Sequence, residues 1–417
     1  MQANNFKNNI TSFFKWMVIF LFVGIIVGTA TASFLHSLDY VTQFRMKHIW
    51  IVNFLPIAGL MIGLVYYYYG EAANKGNNLL LETHQSLENG EEKKIVPLKM
   101  APLVFVSTLL THLTGGSAGR EGTAVQMGGA IADQFTNVFK LNAVDRKTIL
   151  IMGISSGFAA VFGTPWAGAI FAIEVLAIKK IKINQIFASF FVAYVAHYTC
   201  LAWQVQHTIY AISNIPSPSI IHFIWAIIAG VIFGSAAFIF TSIGKLFEKL
   251  FHTIKYAPFR PLIGGIIIAL FIVITNSTKF IGLGIPSIQD AFTHNAGQYD
   301  FAIKLILTSF TLSAGFKGGE VTPLFFIGAT LGNILIVVIP LPMALLAGMG
   351  LVAVFSGATH CVIASIVMGI ELFGINAGIY IGLASIAAYF SAGPNGIYSA
   401  QLKQGVKFTM YNYFKKF

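Results

Sequence analysis

The 417-residue sequence contains little charge: Asp, Glu, Lys and Arg together make up 10% of it, whereas 56% is hydrophobic. Soluble globular domains carry roughly 25% charged residues, so this composition excludes an ordinary soluble domain. Long, predominantly apolar stretches recur at residues 16–34, 51–69, 149–173, 223–241, 262–275 and 334–356. They are longer than the roughly 10-residue alternating strands of a membrane barrel. The composition therefore predicts an all-α, multi-pass protein of the cell membrane.

Cysteine and acidic residues are also scarce. The two cysteines, Cys200 and Cys361, fall in different apolar segments, so we expect small buried residues and no disulfide framework. Basic residues exceed acidic ones, 26 to 15. They cluster at Lys140, Arg146 and Lys147; at Lys179, Lys180 and Lys182; at Lys245, Lys249, Lys255 and Arg260; and at Lys403, Lys407, Lys415 and Lys416. Basic clusters in short connections mark cytoplasmic faces, so the expected partners are membrane lipids and not nucleic acid.

The first apolar stretch resembles a signal peptide in one respect. The sequence "TATAS", residues 29–33, contains an A-x-A-like cleavage site after an apolar core. The apolar run continues through that site to Phe34, which makes it long enough to span a bilayer. We therefore interpret it as the first membrane helix, with a cleaved signal peptide as the alternative.

Motifs of membrane-embedded enzymes are missing or out of context. The sequence contains neither HExxH nor GxxxxGK[ST]. The pattern GxSxG occurs at Gly115–Gly119 and at Gly153–Gly157, but neither follows a predicted strand, which a nucleophile elbow requires. The ten histidines are scattered. We therefore expect no enzymatic activity, no metal site and no cofactor.

Three segments of the sequence repeat at a separation of about 200 residues. The pairs are Arg120–Ala130 with Glu320–Thr330, Gly157–Pro165 with Gly350–Ala358, and, more weakly, Gly76–Glu82 with Gly282–Ile288. Gly-interrupted apolar segments in matching places of two halves are typical of inverted-repeat transporters. The sequence predicts one transmembrane domain over 1–417, with halves at 11–210 and 219–400 and a basic cytoplasmic tail at 401–417.

The segment "GGSAGREGTAVQMGGA", residues 115–130, places Arg120 and Glu121 side by side among glycines. Charges within a bilayer are costly, so ionisable residues there are functional candidates. A helix start leaves free N–H groups and roughly half a positive charge, which attracts anions, and glycine allows close approach. The repeated segments therefore predict an anion site built from several helix starts. Close helix packing through small residues is the alternative.

Several motifs appear in order between roughly residue 20 and residue 400: "GREGT", "AVQMGGAIADQ", "GFAAVFGTPWAGAIFAIE", "GLGIPSIQ", "GGEVTP" and "GIYSAQ". Together they resemble the CLC superfamily of anion channels and proton-coupled anion antiporters. The resemblance implies a CLC-like inverted-repeat bundle with many tilted and partially spanning helices. It also implies a homodimer with one pore in each subunit. The chain ends shortly after Tyr398, so the regulatory nucleotide-binding modules of many family members are not expected.

The departures from the usual family motifs are as informative as the matches. Thr123 stands where the family usually has proline, and Asn77 stands where it usually has the serine that touches the central anion. In "GGEVTP", Glu320, Val321 and Thr322 precede the proline. These departures resemble the fluoride/proton antiporter branch, which implies fluoride export in exchange for protons. A CLC chloride/proton antiporter or a chloride channel is the alternative.

The resemblance assigns proton coupling and gating to acidic residues. Glu121 would occupy the anion path when ionised and leave it when protonated. Val175 replaces the inner proton-relaying glutamate of other antiporters, so Glu320 is the candidate for a second proton station. Alternatively, Glu320 orients Asn77, or it is a solvent-facing loop acid beside Lys317.

The implied anion-binding residues are Asn77, Gly122, Val321, Thr322 and Tyr398. Fluoride is strongly hydrated and is a strong hydrogen-bond acceptor, so its site needs donors that replace water. The Asn77 amide and the Thr322 hydroxyl supply such donors. Helix capping is the alternative role for Asn77, and a place in an interfacial aromatic belt is the alternative for Tyr398.

Three other charged residues are expected to play supporting roles. Arg120 should face the aqueous mouth or brace loop carbonyls and should not pair with Glu121, because adjacent residues at a helix start point in different directions. Glu174 and Glu371 end matching apolar runs. We expect both to be structural, near a cytoplasmic helix end or the dimer surface.

Overall fold

A computed structural model describes residues 2–91, 94–177 and 181–414, and α-helix dominates these residues. The helices of the first half are α1 (Gln2–Lys47), α2 (Leu55–Val65), α3 (Asn77–Glu88), α4 (Met100–Leu113), α5 (Glu121–Val138), α6 (Ala143–Phe162), α7 (Pro165–Val175) and α8 (Ile183–Ala202). Those of the second half are α9 (Ile220–His252), α10 (Phe259–Thr275), α11 (Ile285–Asp290), α12 (Asp300–Ser313), α13 (Val321–Ile334), α14 (Met343–Thr359), α15 (Val362–Phe373) and α16 (Ile375–Ser391). A last helix, α17 (Val406–Phe414), follows in the tail.

The helices differ widely in length. Within the described residues, four helical segments are long and apolar enough to cross a membrane: Ser12–Lys47, Ile49–Lys75, Ile183–Ala202 and Ile220–His252. Seven shorter apolar helices of 10–17 residues accompany them. This mixture of complete and partial spans is the all-α bundle that the sequence predicts.

Two of the apolar stretches are divided between helices. The stretch 149–173 is broken because Gly163 adopts the left-handed conformation (φ 78°) after α6, and Pro165 begins α7. Glycine favours such a helix end, and proline fits the first turn of the next helix. The stretch 334–356 is broken between the end of α13 and the start of α14 at Met343. The length of these apolar stretches therefore overestimates the length of the helices that they form.

The two halves repeat the same helix packing. α5 packs on α6 as α13 packs on α14, and α1 packs on α8 as α9 packs on α16. At the first crossing, a Cβ on Gly128 would lie 2.2 Å from the Gly153 carbonyl oxygen; at the second, a Cβ on Gly328 would lie 2.0 Å from that of Gly350. Gly350 therefore corresponds to Gly153 and not to Gly157. The sequence alignment of this segment is wrong by one helical turn.

The third sequence pair also needs a correction. The glycines that immediately precede α3 and α11 are Gly76 and Gly284, both with positive φ, so Gly76 matches Gly284 and not Gly282. Between the halves, residues 203–219 connect α8 to α9 and include the segment 214–219 that the sequence indicates as a linker.

Glu174 and Glu371 fasten the two halves together. Near the end of α7, the Glu174 carboxylate accepts hydrogen bonds from Ile363 N and Ala364 N at the start of α15, at 3.0 and 2.8 Å. Near the end of α15, Glu371 accepts from the N–H groups of residues 166 and 167 at the start of α7, at 3.0 and 2.7 Å. Each glutamate thus caps the opposite, antiparallel helix. The structural role is supported, but the two lie at opposite ends of the pair, so they cannot both be cytoplasmic.

The cysteines and several basic residues occupy buried positions. Cys200 and Cys361 are buried free thiols, as the sequence predicts. Arg146 forms a buried ion pair with Asp133, with Nη2–Oδ2 at 2.7 Å and Nε–Oδ1 at 2.8 Å, and so does not face lipid headgroups. The Lys407 Nζ atom is buried 4.4 Å from the ring centre of Tyr389. The predicted cytoplasmic lysines 179, 180, 415 and 416 lie outside the described residues.

Candidate anion and proton site

The two halves meet where α5 and α13 begin. Gly119 and Gly319, which precede these helices, form an antiparallel bridge, in which Gly319 N donates to Gly119 O at 2.8 Å. A Cβ on Gly319 would lie 2.7 Å from Gly122 N, so only glycine fits there. The bridge brings two helix starts, each with free N–H groups and a positive partial charge, to the same place.

Glu121 crosses from one half to the other. It is the first residue of α5 and is 2% exposed. Its Oε2 atom accepts a hydrogen bond from Thr322 N at 3.0 Å, and its Oε1 atom accepts one from the Thr322 hydroxyl. Arg120 N also donates to Oε2, at 3.1 Å. The carboxylate therefore occupies the anion-attracting start of α13.

Arg120 lies closer to Glu121 than the sequence predicts. Its Nε atom is 3.7 Å from Glu121 Oε1, and its side chain is 18% exposed. The expectation that Arg120 and Glu121 do not pair is therefore wrong. Arg120 lies just before the helix, with φ −118°, and the Glu121 carboxylate turns back toward Arg120 and accepts a hydrogen bond from its backbone N–H. The contact is not a hydrogen bond, since Arg120 Nε has no hydrogen-bond partner among the described residues. The main donors to Glu121 belong to Thr322.

The start of α5 lacks a comparable cap. No side chain among the described residues caps it. A Cβ on Gly122 would lie 3.2 Å from Asn77 Nδ2, 3.2 Å from Gly319 Cα and 3.8 Å from Glu320 Oε2. The Asn77 amide and the Glu320 carboxylate thus lie next to the first turn of α5. An amide nitrogen beside a helix start is suited to a small anion.

Asn77 makes no cap in this structure. It is the first residue of α3, and no side-chain hydrogen bond caps that helix. Its Oδ1 atom is buried and has no hydrogen-bond partner among the described residues. Within the same residues, no hydrogen bond joins Asn77 to Glu320. No contact among the described residues therefore supports the two alternative roles of Asn77, which were to cap a helix or to be oriented directly by Glu320.

An inner cavity of about 140 Å³ lies beside these groups. Its lining includes Asn77, Glu320 and Tyr398 together with Gln126 and Asn78. Sequence reasoning did not select Gln126, although it follows Gly122 by four residues and so lies on the same face of α5. Asn78 accepts a hydrogen bond from Ala400 N at 3.0 Å, which holds the segment after Tyr398 against α3.

A wider vestibule of about 470 Å³ opens next to the inner cavity. It is lined by Lys245, Arg260 and His252 from the end of α9 and the start of α10, and Glu320 lines both spaces. Glu320 therefore lies between the smaller inner cavity and the wider, basic vestibule. Val321 is buried and lines neither space.

Thr123, which replaces the usual proline of the motif, has a structural contact. Its hydroxyl lies 2.8 Å from that of Thr108 on α4, and both side chains are fully buried. A proline there would have no hydroxyl to pair with Thr108, so the two threonines are matched to each other. Thr123 therefore helps to hold α5 against α4.

Two buried cations lie near the loops that lead to the bridge. Lys304 Nζ donates to the carbonyl oxygens of Phe280 and Gly282, at 3.0 and 2.7 Å, and Arg45 donates to that of His112. Backbone carbonyls thus satisfy these charges, which the sequence analysis did not single out. The nearby bond from Gly282 N to Gly116 O, at 3.0 Å, ties the halves together.

Comparison with known proteins identifies the family. Residues 58–393 match the family model described as "Voltage gated chloride channel". The chain belongs to the CLC family of voltage-gated chloride channels and related transporters. It is 45% identical over 394 residues to the "Chloride/fluoride channel protein" of Pseudomonas syringae pv. tomato, covering 93% of this chain and 86% of that protein.

Solved structures agree with this CLC membership. A CLC-type fluoride/proton antiporter superposes with a TM-score of 0.88 at 33% identity, covering 93% of this chain and 98% of that one. A slow cyanobacterial Cl⁻/H⁺ antiporter shares the fold with a TM-score of 0.78 at 17% identity, covering 96% and 97%. The chain is therefore a multi-pass integral membrane protein with the CLC fold. Its family consists of transporters and channels and not of enzymes.

Proposed function

We propose that this CLC protein is a fluoride/proton antiporter that exports fluoride across the cell membrane in exchange for protons. The observation that carries the proposal is the position of Glu121, whose carboxylate accepts hydrogen bonds from the backbone and hydroxyl of Thr322 at the start of α13. A side-chain anion occupies a place that suits a free anion. Fluoride and the Glu121 carboxylate then compete for the same donors.

Protonation couples the two fluxes through this competition. The ionised carboxylate is held by the positive helix start, whereas the neutral carboxyl is not. When Glu121 takes a proton, it leaves the Thr322 donors, and fluoride occupies them. Glu320 serves as the second proton station, because it lines both the vestibule and the inner cavity, and because Val175 stands where other antiporters have an inner glutamate.

Fluoride is the proposed anion because the path is rich in donors. Asn77 Nδ2 approaches the first turn of α5, and Tyr398 and Gln126 line the inner cavity. Hydrogen-bond donors replace the hydration that fluoride loses, and fluoride accepts them more strongly than chloride does. A relative 45% identical is named a chloride/fluoride channel protein, and a fold neighbour 33% identical is a fluoride/proton antiporter. Both names are consistent with the proposal.

The proposal includes assembly and orientation. The chain forms a homodimer, as expected for a CLC protein. Each subunit has its own pathway, because residues from both halves of one chain complete the site. The basic vestibule faces the cytoplasm, where lipid headgroups meet the exposed lysines. The halves extend over 11–210 and 219–400.

The test is a flux measurement on purified protein in liposomes loaded with equal fluoride and chloride. Ion-selective electrodes follow both anions while an external electrode records pH. Fast fluoride efflux with opposing proton uptake and slow chloride efflux is the expected result. Comparable chloride efflux with proton uptake would identify a chloride/proton antiporter, and anion efflux without proton movement would identify a channel. Either of these would overturn the proposal.

A further inference from the structure

The vestibule and the inner cavity share one wall. Residues lining both spaces are Tyr66, Asn74, Asn78, Leu312, Lys317, Glu320 and Ile397. Lys317 is the basic residue in this set, and Glu320 is the acidic one. An ion that moves between the two spaces passes this wall, so its charges act directly on the ion.

Lys317 is held in place without being neutralised. Its Nζ atom donates to Asn74 Oδ1 at 2.8 Å and lies 4.1 Å from the ring centre of Tyr66. Among the described residues, no carboxylate oxygen comes within 4 Å of this atom. An ammonium has three N–H donors, so the bond to Asn74 leaves donors for another acceptor.

The other lysines near the path differ in this respect. Lys75 also lines the inner cavity, but its Nζ atom is 2.6 Å from Glu82 Oε2. Lys304 is fully buried and directs its ammonium to two backbone carbonyls. Lys317 thus combines a fixed position, contact with both spaces and a positive charge with no carboxylate within 4 Å among the described residues.

We propose that Lys317 binds fluoride as the ion passes from the vestibule to the inner cavity. The proposal rests on the function proposed above and assigns a specific residue to anion entry. Fluoride loses water as it moves from the wider vestibule into the smaller inner cavity, and a charge-assisted hydrogen bond from an ammonium replaces part of that hydration. The bond is stronger there than in bulk water because the surroundings have a lower dielectric constant.

The experiment compares K317M, K317R and K317Q with a control, K249M, which removes an exposed lysine that lines neither space. Fluoride efflux from proteoliposomes is measured as a function of internal fluoride, together with the number of protons exchanged per fluoride. For K317M we expect KM to rise about tenfold, the size of one lost charged hydrogen bond, with the maximal rate and the proton ratio little changed. K317R should keep most of the affinity, and K249M should behave as wild type.

The second neutral variant, K317Q, keeps the test valid if K317M does not fold. K317Q keeps a hydrogen-bonding group for Asn74 but lacks the charge, so its KM should rise as in K317M even if the methionine variant is unstable. An unchanged KM in folded K317M or K317Q, or an equal rise in K249M, would overturn the role of Lys317. A failure of the proposed function would be distinguishable from this result, because the wild-type protein itself would then show no fluoride/proton exchange.

Discussion

At the scale of single residues, one carboxylate connects the two halves of the chain. Glu121 belongs to α5 but receives its hydrogen bonds from Thr322 on α13 and from Arg120 N. The position equivalent to Glu121 in the second half is Val321, and the position equivalent to Arg120 is Glu320. The repeat is therefore symmetric in backbone but not in charge. The asymmetry leaves the start of α13 occupied by a carboxylate, whereas the start of α5 lacks a comparable cap.

Replacing that carboxylate tests its role. In E121Q, the side chain keeps an acceptor for Thr322 but cannot take up a proton near neutral pH. We expect fluoride-driven proton movement to disappear while passive fluoride flux persists, measured in proteoliposomes with a pH electrode. E371Q is the control. Glu371 is also a glutamate in an apolar helix, but it accepts hydrogen bonds from the start of α7 and lines neither the vestibule nor the inner cavity. Undiminished proton pumping in E121Q would contradict the proposed role.

At the scale of elements, glycine sets the distance between crossing helices. α13 and α14 cross at Gly328 and Gly350, where each glycine lies against the other's carbonyl oxygen. α5 and α6 cross in the same way at Gly128 and Gly153. Small residues at crossings allow close helix contact in membranes. These crossings fix where α5 and α13 begin, and so fix the distance between Glu121 and its donors.

A single added methyl group should disrupt the crossing. In G328A, the new Cβ would lie 2.0 Å from the Gly350 carbonyl oxygen, a backbone atom that cannot move without shifting α14. We expect G328A to lose most of its yield of monodisperse protein in detergent, assayed by size-exclusion chromatography. G244A is the control on α9, because nothing lies within 4 Å of a Cβ there. Normal yield of G328A would show that the helices can separate at low cost.

The same elements show how far the sequence predicts the structure. The offset of 200 residues between Arg120 and Glu320 is confirmed at the Gly119–Gly319 bridge, because short, distinctive motifs mark both helix starts. Elsewhere the offset differs, because the connections inside the halves differ in length. Gly76 and Gly284 are 208 residues apart, and the capping glutamates Glu174 and Glu371 are 197 apart. Within an apolar helix, alignments that differ by one turn match about equally many small and apolar residues. The sequence therefore paired Gly350 with Gly157, one turn away from Gly153.

Site residues were predictable where a motif carried them. Glu121, Thr322 and Asn77 stand in recognisable positions, and the structure places them at or near the converging helix starts. Gln126 and Lys317 were not selected because their significance depends on which cavity they line. That depends on how α5 and the loop before α13 pack, which is a long-range property that no local pattern contains.

At the scale of the whole molecule, α9 indicates how the protein is oriented in the membrane. It contains 33 residues, or about 50 Å of helix, which exceeds the roughly 30 Å thickness of the bilayer core. Its first residues follow the linker between the halves, and its C-terminal part carries Lys245 and His252, which line the vestibule. The linker and the vestibule therefore lie on opposite sides of the membrane. Because basic residues favour the cytoplasmic face, we expect the vestibule to face the cytoplasm.

This orientation is testable with introduced cysteines, because Cys200 and Cys361 are buried and should not react. Ser213 in the linker and Lys249 near the end of α9 are both exposed. With a membrane-impermeant maleimide, we expect S213C to be labelled in intact cells or spheroplasts and K249C only in inverted vesicles. Detergent-solubilised protein, in which both should react, controls for accessibility. The reverse labelling would place the vestibule outside, and the proposed direction of fluoride entry through Lys317 would then be wrong.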